Sequence, residues 1–394
     1  MQHHAVDRSL VRGDSRRPTG CRRARFATVV VVPLLVAGVS CTSTEGGGER
    51  ARSVPIKSSK AVGATVGPRG EKPTPTSALT LTPAEVATVR AGHYTAALAW
   101  HENSDFTTAV TAGARDEFRQ LGIEVIAETS ANFDPAKQKS DIETMEALEP
   151  SVLLTLPVDD VITAPAYKAL ARQGTKIVLL STLPRGMRYG RDYVNLVTDD
   201  LFDMGKRAAD ALAAAVGDQG TIADFFHDAE HYVTNERDEA FLQTITTNYP
   251  KIDVVAKQGI ADPNNSLDEA NAVLLAHPHV SGIYVTFSQP PAEGVLAALH
   301  ANGNTTTKLV SLDLDEPLAL DMAKGGATFA LIADKPYDLG QAMAKSAAYG
   351  LLDKSAPAFV VGPAMTITKA NLVEGYRESL RENPPASVMK ALGK

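Results

Sequence analysis

The string His227-Asp228-Ala229-Glu230-His231 matches H-x-x-E-H, a zinc-hydrolase signature. That chemistry needs both imidazoles on one helical face. Here the string follows directly on an apolar run, residues 220–226 (GTIADFF), which puts it in a loop at a strand end. The loop is read as a ligand contact or a solvated turn, with zinc hydrolysis the remote alternative. The sequence holds no G-x-x-x-x-G-K-[ST], no strand followed by G-x-G-x-x-G and no G-x-S-x-G elbow. Phosphate cradles, dinucleotide folds and serine-hydrolase elbows are thus missing. Asp and Glu together number 46, too many for a glycosidase pair to be assigned by spacing. Nothing demands an enzyme, and neither a metal nor a cofactor is expected.

Cys41 is the other residue with distinctive chemistry. Arg8, Arg12, Arg16, Arg17, Arg22, Arg23 and Arg25 form a cationic leader offset by Asp7 and Asp14, and residues 27–40 (ATVVVVPLLVAGVS) follow as an apolar stretch. That length suits a signal-peptide core and is too short for a membrane span. The ending GVSC resembles a lipobox, whose cysteine is lipidated after cleavage, although Gly38 stands where leucine is usual. Residues 1–40 are therefore read as a lipoprotein signal, with Cys41 carrying the anchor and Cys21 leaving with the leader. A plain cleaved signal with an incidental cysteine, or export through the Arg22-Arg23 pair, are the alternatives. Residues 41–81, with Gly46-Gly47-Gly48, scattered Ser, Thr and Pro and mixed charges, are expected to be a disordered tether.

Composition narrows the rest. The chain has 394 residues, 44% hydrophobic, with a net charge of -7; the length allows large buried cores, and the acidity argues against nucleic acid. Two cysteines exclude a disulfide scaffold and a thiolate zinc cluster. No apolar run reaches the roughly 18 residues of a spanning helix.

The elements that must position any site alternate in type. Thr82-Pro83-Ala84-Glu85 reads as a capping box opening a short helix. Strands are expected at 94–100, 124–129, 152–156 and 176–180, with helices at 107–121, 135–148 and 161–173 between them. The pattern restarts after Asn195 with a helix at 202–216. Strands then fall at 220–226, 253–257, 282–286, 308–312 and 328–333, and helices at 236–249, 266–276, 291–302 and 317–324. A further helix at 337–352 has no place in the second set and leaves room for the chain to cross back. Continuous apolar strands between helices imply parallel sheets covered on both faces. The fold class is therefore α/β, two doubly wound lobes, each with a crevice at the carboxyl ends of its strands. Crossings near 195–199, 334–337 and 361–366 make a three-strand hinge. The division is 82–196 plus 335–362 for the first lobe, 197–334 plus 363–380 for the second, and 381–394 as a C-terminal tail.

Several segments carry a family resemblance in order and spacing. They are HENSDFTTAVTAGARDEF, ANFDPAKQKSDIE, TLPVDD, NLVTDDLFDMGKRAADAL, TNERDEAF, AHPHVSGIYV, SLDLDE and DKPYDLG. Together, over residues 94–372, the chain resembles the type I periplasmic binding proteins, specifically ribose-type solute-binding lipoproteins of ABC importers with Rossmann-like lobes. The resemblance implies capture of a small polyhydroxylated ligand, a sugar or cyclitol, and its delivery to an ABC permease. It implies a monomer outside the cytoplasmic membrane or in the periplasm, held to the membrane by its lipid alone and without nucleic acid. It places Trp100, Asn103 and Phe106 at the ligand from the first strand–helix loop. Ser181 and Thr182 stand where ribose binders carry Asp-Arg, and Phe287-Ser288 where they carry Asn or Asp. Arg237 and Asp313 match ligand-binding positions, Asp334 stands for a glutamine, and Asp262 is a candidate in a segment where the alignment slips. A carboxylate accepting paired hydroxyls and an arginine fork suit such a ligand. The same lobes could serve a sensor for a membrane receptor, and a secreted metal or glycoside hydrolase is the more distant reading. A DNA-binding repressor would open with a basic helix-turn-helix in place of a signal.

Overall fold

The structure, a computed structural model, describes residues 54–394. The signal sequence, Cys41 and the start of the tether lie outside these residues. In the first lobe, β1 (Thr74–Pro75), α1 (Pro83–Ala91), β2 (Thr95–Trp100), α2 (Asp105–Leu121), β3 (Glu124–Ser130), α3 (Pro135–Glu146), β4 (Val152–Thr155), α4 (Ala164–Arg172), β5 (Lys176–Leu180) and β6 (Asn195–Asp199) follow in turn. The second lobe runs α5 (Leu201–Val216), β7 (Gly220–His227), α6 (Tyr232–Asn248), β8 (Ile252–Ile260), α7 (Ser266–Ala276), β9 (Gly282–Val285), α8 (Glu293–Ala301), β10 (Lys308–Leu312), α9 (Glu316–Lys324) and β11 (Thr328–Ala333). Then α10 (Pro336–Leu351) and β12 (Phe359–Gly362) return to the first lobe, and β13 (Met365–Ile367), α11 (Leu372–Ser379) and α12 (Ala386–Ala391) complete the second.

One sheet has the order β1-β12-β6-β5-β4-β2-β3, parallel throughout, and the other β13-β11-β10-β9-β7-β8, parallel except at β13. In each the order reverses beside the first long strand, at β2/β4 and β7/β9. That reversal is where an open α/β sheet leaves a crevice beyond its carboxyl ends. Both sheets are covered on both sides, so strands such as VLLT and KIVLL are apolar without alternation. Helix starts obey local chemistry. Thr82 and Glu85 form the expected capping box, and Ser104, Asp134, Asp200 and Asp315 accept backbone N–H groups at four more N-termini. Close helix crossings rest on glycine: a Cβ at Gly205 of α5 would stand 2.1 Å from the Arg237 carbonyl oxygen of α6.

Three expectations need correction. Residues 54–81 are laid against the body. The Lys206 ammonium donates to Ser58 Oγ at 3.0 Å, and Ser59 N–H to the Asp210 carboxylate at 3.1 Å. Thr65 donates to Asp200 at 2.5 Å and Tyr232 to the Val66 carbonyl at 2.6 Å. Further on, Arg69 donates to the Met187 carbonyl, β1 pairs with β12, and Leu79 is buried in the first lobe. The segment thus straps both lobes. Its polar composition hid this, because its partners are distant groups that only the tertiary fold brings near. Second, β6, β12 and β13 were not foreseen as strands; β6 stays in the first sheet to Asp199, so the first crossing falls after 199 and not at 196. Third, the last residues are no free tail: Val388 of α12 is buried in the second core, with Ala391 and Leu392 packed beside it.

Candidate functional site

A cavity of about 230 Å³ opens between the lobes. Its walls are the carboxyl ends of nine strands. His101 follows β2, Phe133 follows β3, Leu156 follows β4, Ser181 follows β5, and Asp199 ends β6. From the second lobe come His227 at the end of β7, Phe287 and Ser288 after β9, Asp313 after β10, and Asp334 after β11 at the hinge. Between these strand ends, His231, Thr234 and Arg237 enter from the first turns of α6.

Arg237 is the central cation. It is 5% exposed, which rules out a surface arginine, and its Nη1 donates to Asp313 at 3.1 Å. Its aim is fixed by the residue beside it. Asp238 accepts from the His227 backbone N–H at 2.9 Å, the Tyr284 hydroxyl at 2.7 Å and Thr286 Oγ1 at 2.9 Å. Tyr284 in turn stacks on Phe241 with centroids 3.9 Å apart. Helix α6 is thereby bolted to β7 and β9, and Arg237 has one direction to face.

Around the guanidinium stand Asp199, Asp313 and Asp334. Burial, the larger cause, pushes all three carboxyls above the usual range, against the pull of Arg237. Mutual repulsion adds to the rise, strongest at Asp334, which faces Asp199 and Asp313. For Arg237 itself burial opposes the charge, but the surrounding carboxylates, Asp313 first, raise its pKa further. His231 is lowered to about 4, by burial first and then by His227 and Arg237, so its ring is neutral. His227 is lowered for the same first reason. The two rings share Thr234, whose Oγ1 lies 2.9 Å from His227 Nδ1 and 3.3 Å from His231 Nδ1.

Several buried polar atoms on the cavity wall have no partner among the described residues: Asp199 Oδ1, Arg237 Nε, Asp315 Oδ2 and His101 Nδ1. Orphans of this kind are rare in native interiors. Phe133, Ser181 and Asp313 hold φ of 59°, 58° and 68°, a region that non-glycine residues seldom enter. Such strain gathers at ligand clamps. An apolar rim completes the site: the His101 ring meets Phe133 at 5.2 Å and Phe106 at 6.4 Å, and His227 meets Phe287 at 5.6 Å. The arrangement can grip a small polar molecule by hydrogen bonds from both lobes while covering its apolar face.

Of the residues foreseen from sequence, the structure brings Phe106, Ser181, Arg237, Phe287, Ser288, Asp313 and Asp334 to this cavity. It does not bring the others. Trp100 is 2% exposed in the first-lobe core, with its indole N–H donated to Thr111 at 2.8 Å. Its side chain lies on the face that α2 covers, and the wall begins one residue later. Asn103 is exposed outside the cavity, on the short turn before the Ser104 cap. Thr182, one residue beyond the wall at Ser181, does not line the cavity, and its N–H is bonded to the Leu180 carbonyl at 2.6 Å. Asp262 caps a single helical turn, accepting from Asn264, and is exposed.

The sequence reading missed His101, Phe133, Asp199, Thr234 and Asp315. Each follows or ends a strand or opens a helix, so strand-end position was the available signal. The His227–His231 string forms part of the wall, and no group of three or more metal-ligating side chains occurs among the described residues.

Residues 84–354 match the family described as periplasmic binding protein domain. The chain is 26% identical over 239 residues to the ribose import binding protein RbsB of Haemophilus influenzae, spanning 60% of this chain and 78% of that protein. Among solved structures it resembles a carbohydrate transporter solute binding protein from Agrobacterium radiobacter in complex with D-arabinose (24% identity, TM-score 0.63, 74% of this chain and 99% of that one). It also resembles an ABC transporter solute binding protein from Agrobacterium vitis bound with alpha-D-tagatopyranose (21% identity, TM-score 0.65, 74% and 99%). At these identities the two structures speak for the shared fold.

Proposed function

Because the chain belongs to the periplasmic binding protein domain family, we propose that it captures a small polyhydroxylated ligand, a sugar or cyclitol, between its lobes and delivers it to an ABC permease. The observation that carries this is the interlobe cavity, whose wall holds buried polar atoms on Asp199, Arg237, Asp315 and His101 that have no partner among the described residues. Ribose, arabinose and tagatose, the sugars named with the similar proteins, are of the size and polarity such a cavity accepts. In this reading Arg237 and Asp313 grip hydroxyls from the second lobe. Ser181 and Phe106 act from the first, with Phe287 and Ser288 opposite them and Asp334 at the hinge. The protein performs no bond chemistry, and it works outside the cytoplasmic membrane, anchored through Cys41.

Binding across two lobes favours closure by the ligand's differential affinity for the closed state. The test is a thermal-shift screen of sugars and cyclitols on the purified protein, followed by solution scattering with any hit. A true ligand raises the melting temperature and lowers the radius of gyration. Tight binding without compaction would refute the two-lobe capture mechanism.

A further inference from the structure

The cavity's charges do not balance. Six acidic side chains line it, Glu102, Asp105, Asp199, Asp313, Asp315 and Asp334, against Arg237 and three histidines. Arg237 makes its ion pair with Asp313. Asp199 and Asp334 are 3% and 4% exposed, and Asp199 Oδ1 has no hydrogen-bond partner among the described residues. Both stand at hinge crossings, where the lobes meet.

Building on the reading of a small polar ligand, we infer that this ligand carries an amino group, as an amino sugar or aminocyclitol does, and that its ammonium sits between Asp199 and Asp334 beside Asp313. An ammonium brings three donors and a positive charge together. Hydroxyls can share the same oxygens but leave the hinge carboxyls holding their protons, whereas an ammonium stabilises the ionised carboxylates in a site sheltered from water. The aromatic rim serves both halves of such a molecule, since Phe106, Phe133 and Phe287 offer faces to C–H groups and negative ring faces to a nearby cation. His227 and His231, both pushed toward the neutral form, add no competing charge. Without ligand, burial and mutual repulsion favour protons on the hinge carboxyls. An incoming ammonium displaces them, so binding at neutral pH releases protons.

The test is calorimetric titration of the purified protein with matched pairs: D-galactosamine and D-galactose, D-glucosamine and D-glucose, and scyllo-inosamine and scyllo-inositol. Runs in phosphate and in Tris read proton release. At least one amine is expected to bind 30-fold or more tighter than its neutral counterpart, with net proton release. Asp334→Asn, close in shape, should cut the amine's advantage over its neutral counterpart at least tenfold and reduce the net proton release. A neutral sugar bound as tightly as its amine, without proton release, overturns the inference and leaves sugar capture standing. An amine bound equally by wild type and Asp334→Asn overturns the hinge placement. If no member of any pair binds, the inference and the capture of sugars and cyclitols both fail.

Discussion

Replacing Arg237 by alanine should weaken the unliganded protein, and by an amount that depends on pH. The guanidinium is buried, 3.1 Å from Asp313, and its field also reaches Asp199 and Asp334. At an effective dielectric of about 20, two charges roughly 4 Å apart attract by about 4 kcal/mol, and removing one member of a buried pair typically costs ~3–5 kcal/mol. The Asp313 side chain keeps 29% exposure toward the cavity, so water offsets part of this and about 2–4 kcal/mol is expected at pH 8. The sign follows from the carboxyls. Their folded pKa values already lie above the unfolded value, so their contribution is present at low pH and is lost as pH rises through the folded values. Arg237 holds those values down, and without it they climb further. The variant should therefore lose stability more steeply than wild type as pH rises, and the gap should narrow toward the lost packing alone at about pH 2–3, below the unfolded carboxyl value of about 3.9. Urea unfolding at pH 4, 6 and 8, without ligand, measures this directly. A deficit that is constant across pH, or larger at pH 4, would refute the electrostatic account and leave only lost packing.

Other perturbations probe the parts that hold the site. Gly205→Ala, whose Cβ would lie 2.1 Å from the Arg237 carbonyl oxygen, should force α5 and α6 apart at a cost of about 1–3 kcal/mol; unchanged urea stability and ligand binding would show that the crossing does not set Arg237. Leu79→Ala, at a 3% exposed core position, should cost ~2–4 kcal/mol, seen in the same unfolding assay. If the strap is laid down as described, trypsin should cut slowly at Lys57, Lys60 and Arg69, and rapid cutting there would contradict it. Cys41→Ala should release the protein from membranes, because a diacylglyceryl group supplies the two chains that durable anchoring needs; a variant still pelleting after a high-salt wash would refute lipidation.

The two-lobed rhythm was legible because buried parallel strands are continuous apolar runs between capped helices, and Lys176–Leu180 and Gly282–Val285 announce themselves on that ground. The short β12 and β13 do not, and β6 reads as NLVTD with polar residues at both ends. Their burial comes from neighbours far away in the chain, and with β6 unread, Asp199 was passed over at the edge of the cavity. The strap was hidden for the same reason. Ile56, Leu79 and Leu81 are its apolar anchors, and hydrogen bonds to distant groups fix much of the rest.

Trp100 shows how residue type can mislead where position does not. Leu98 and Trp100 share one face of β2 and one core, while Ala97 and Ala99 fill the other. Helices cover both faces, so every residue of β2 from Ala96 to Trp100 is buried, and a tryptophan there packs against its own lobe whatever its affinity for sugars. Only the residue after the strand is free to face the cleft, and here that is His101. The same rule selects Ser181, Asp313 and Asp334 after their strands. Applied to β6 it selects Asp199, the strand's last residue, which lies directly at a crossing. Position in the fold thus decides which side chains meet the ligand, and residue type decides only what they do to it. Under the ammonium proposal, the two carboxyl groups at the hinge, Asp199 and Asp334, repel each other when ionised, and a cation between them would turn that repulsion into attraction.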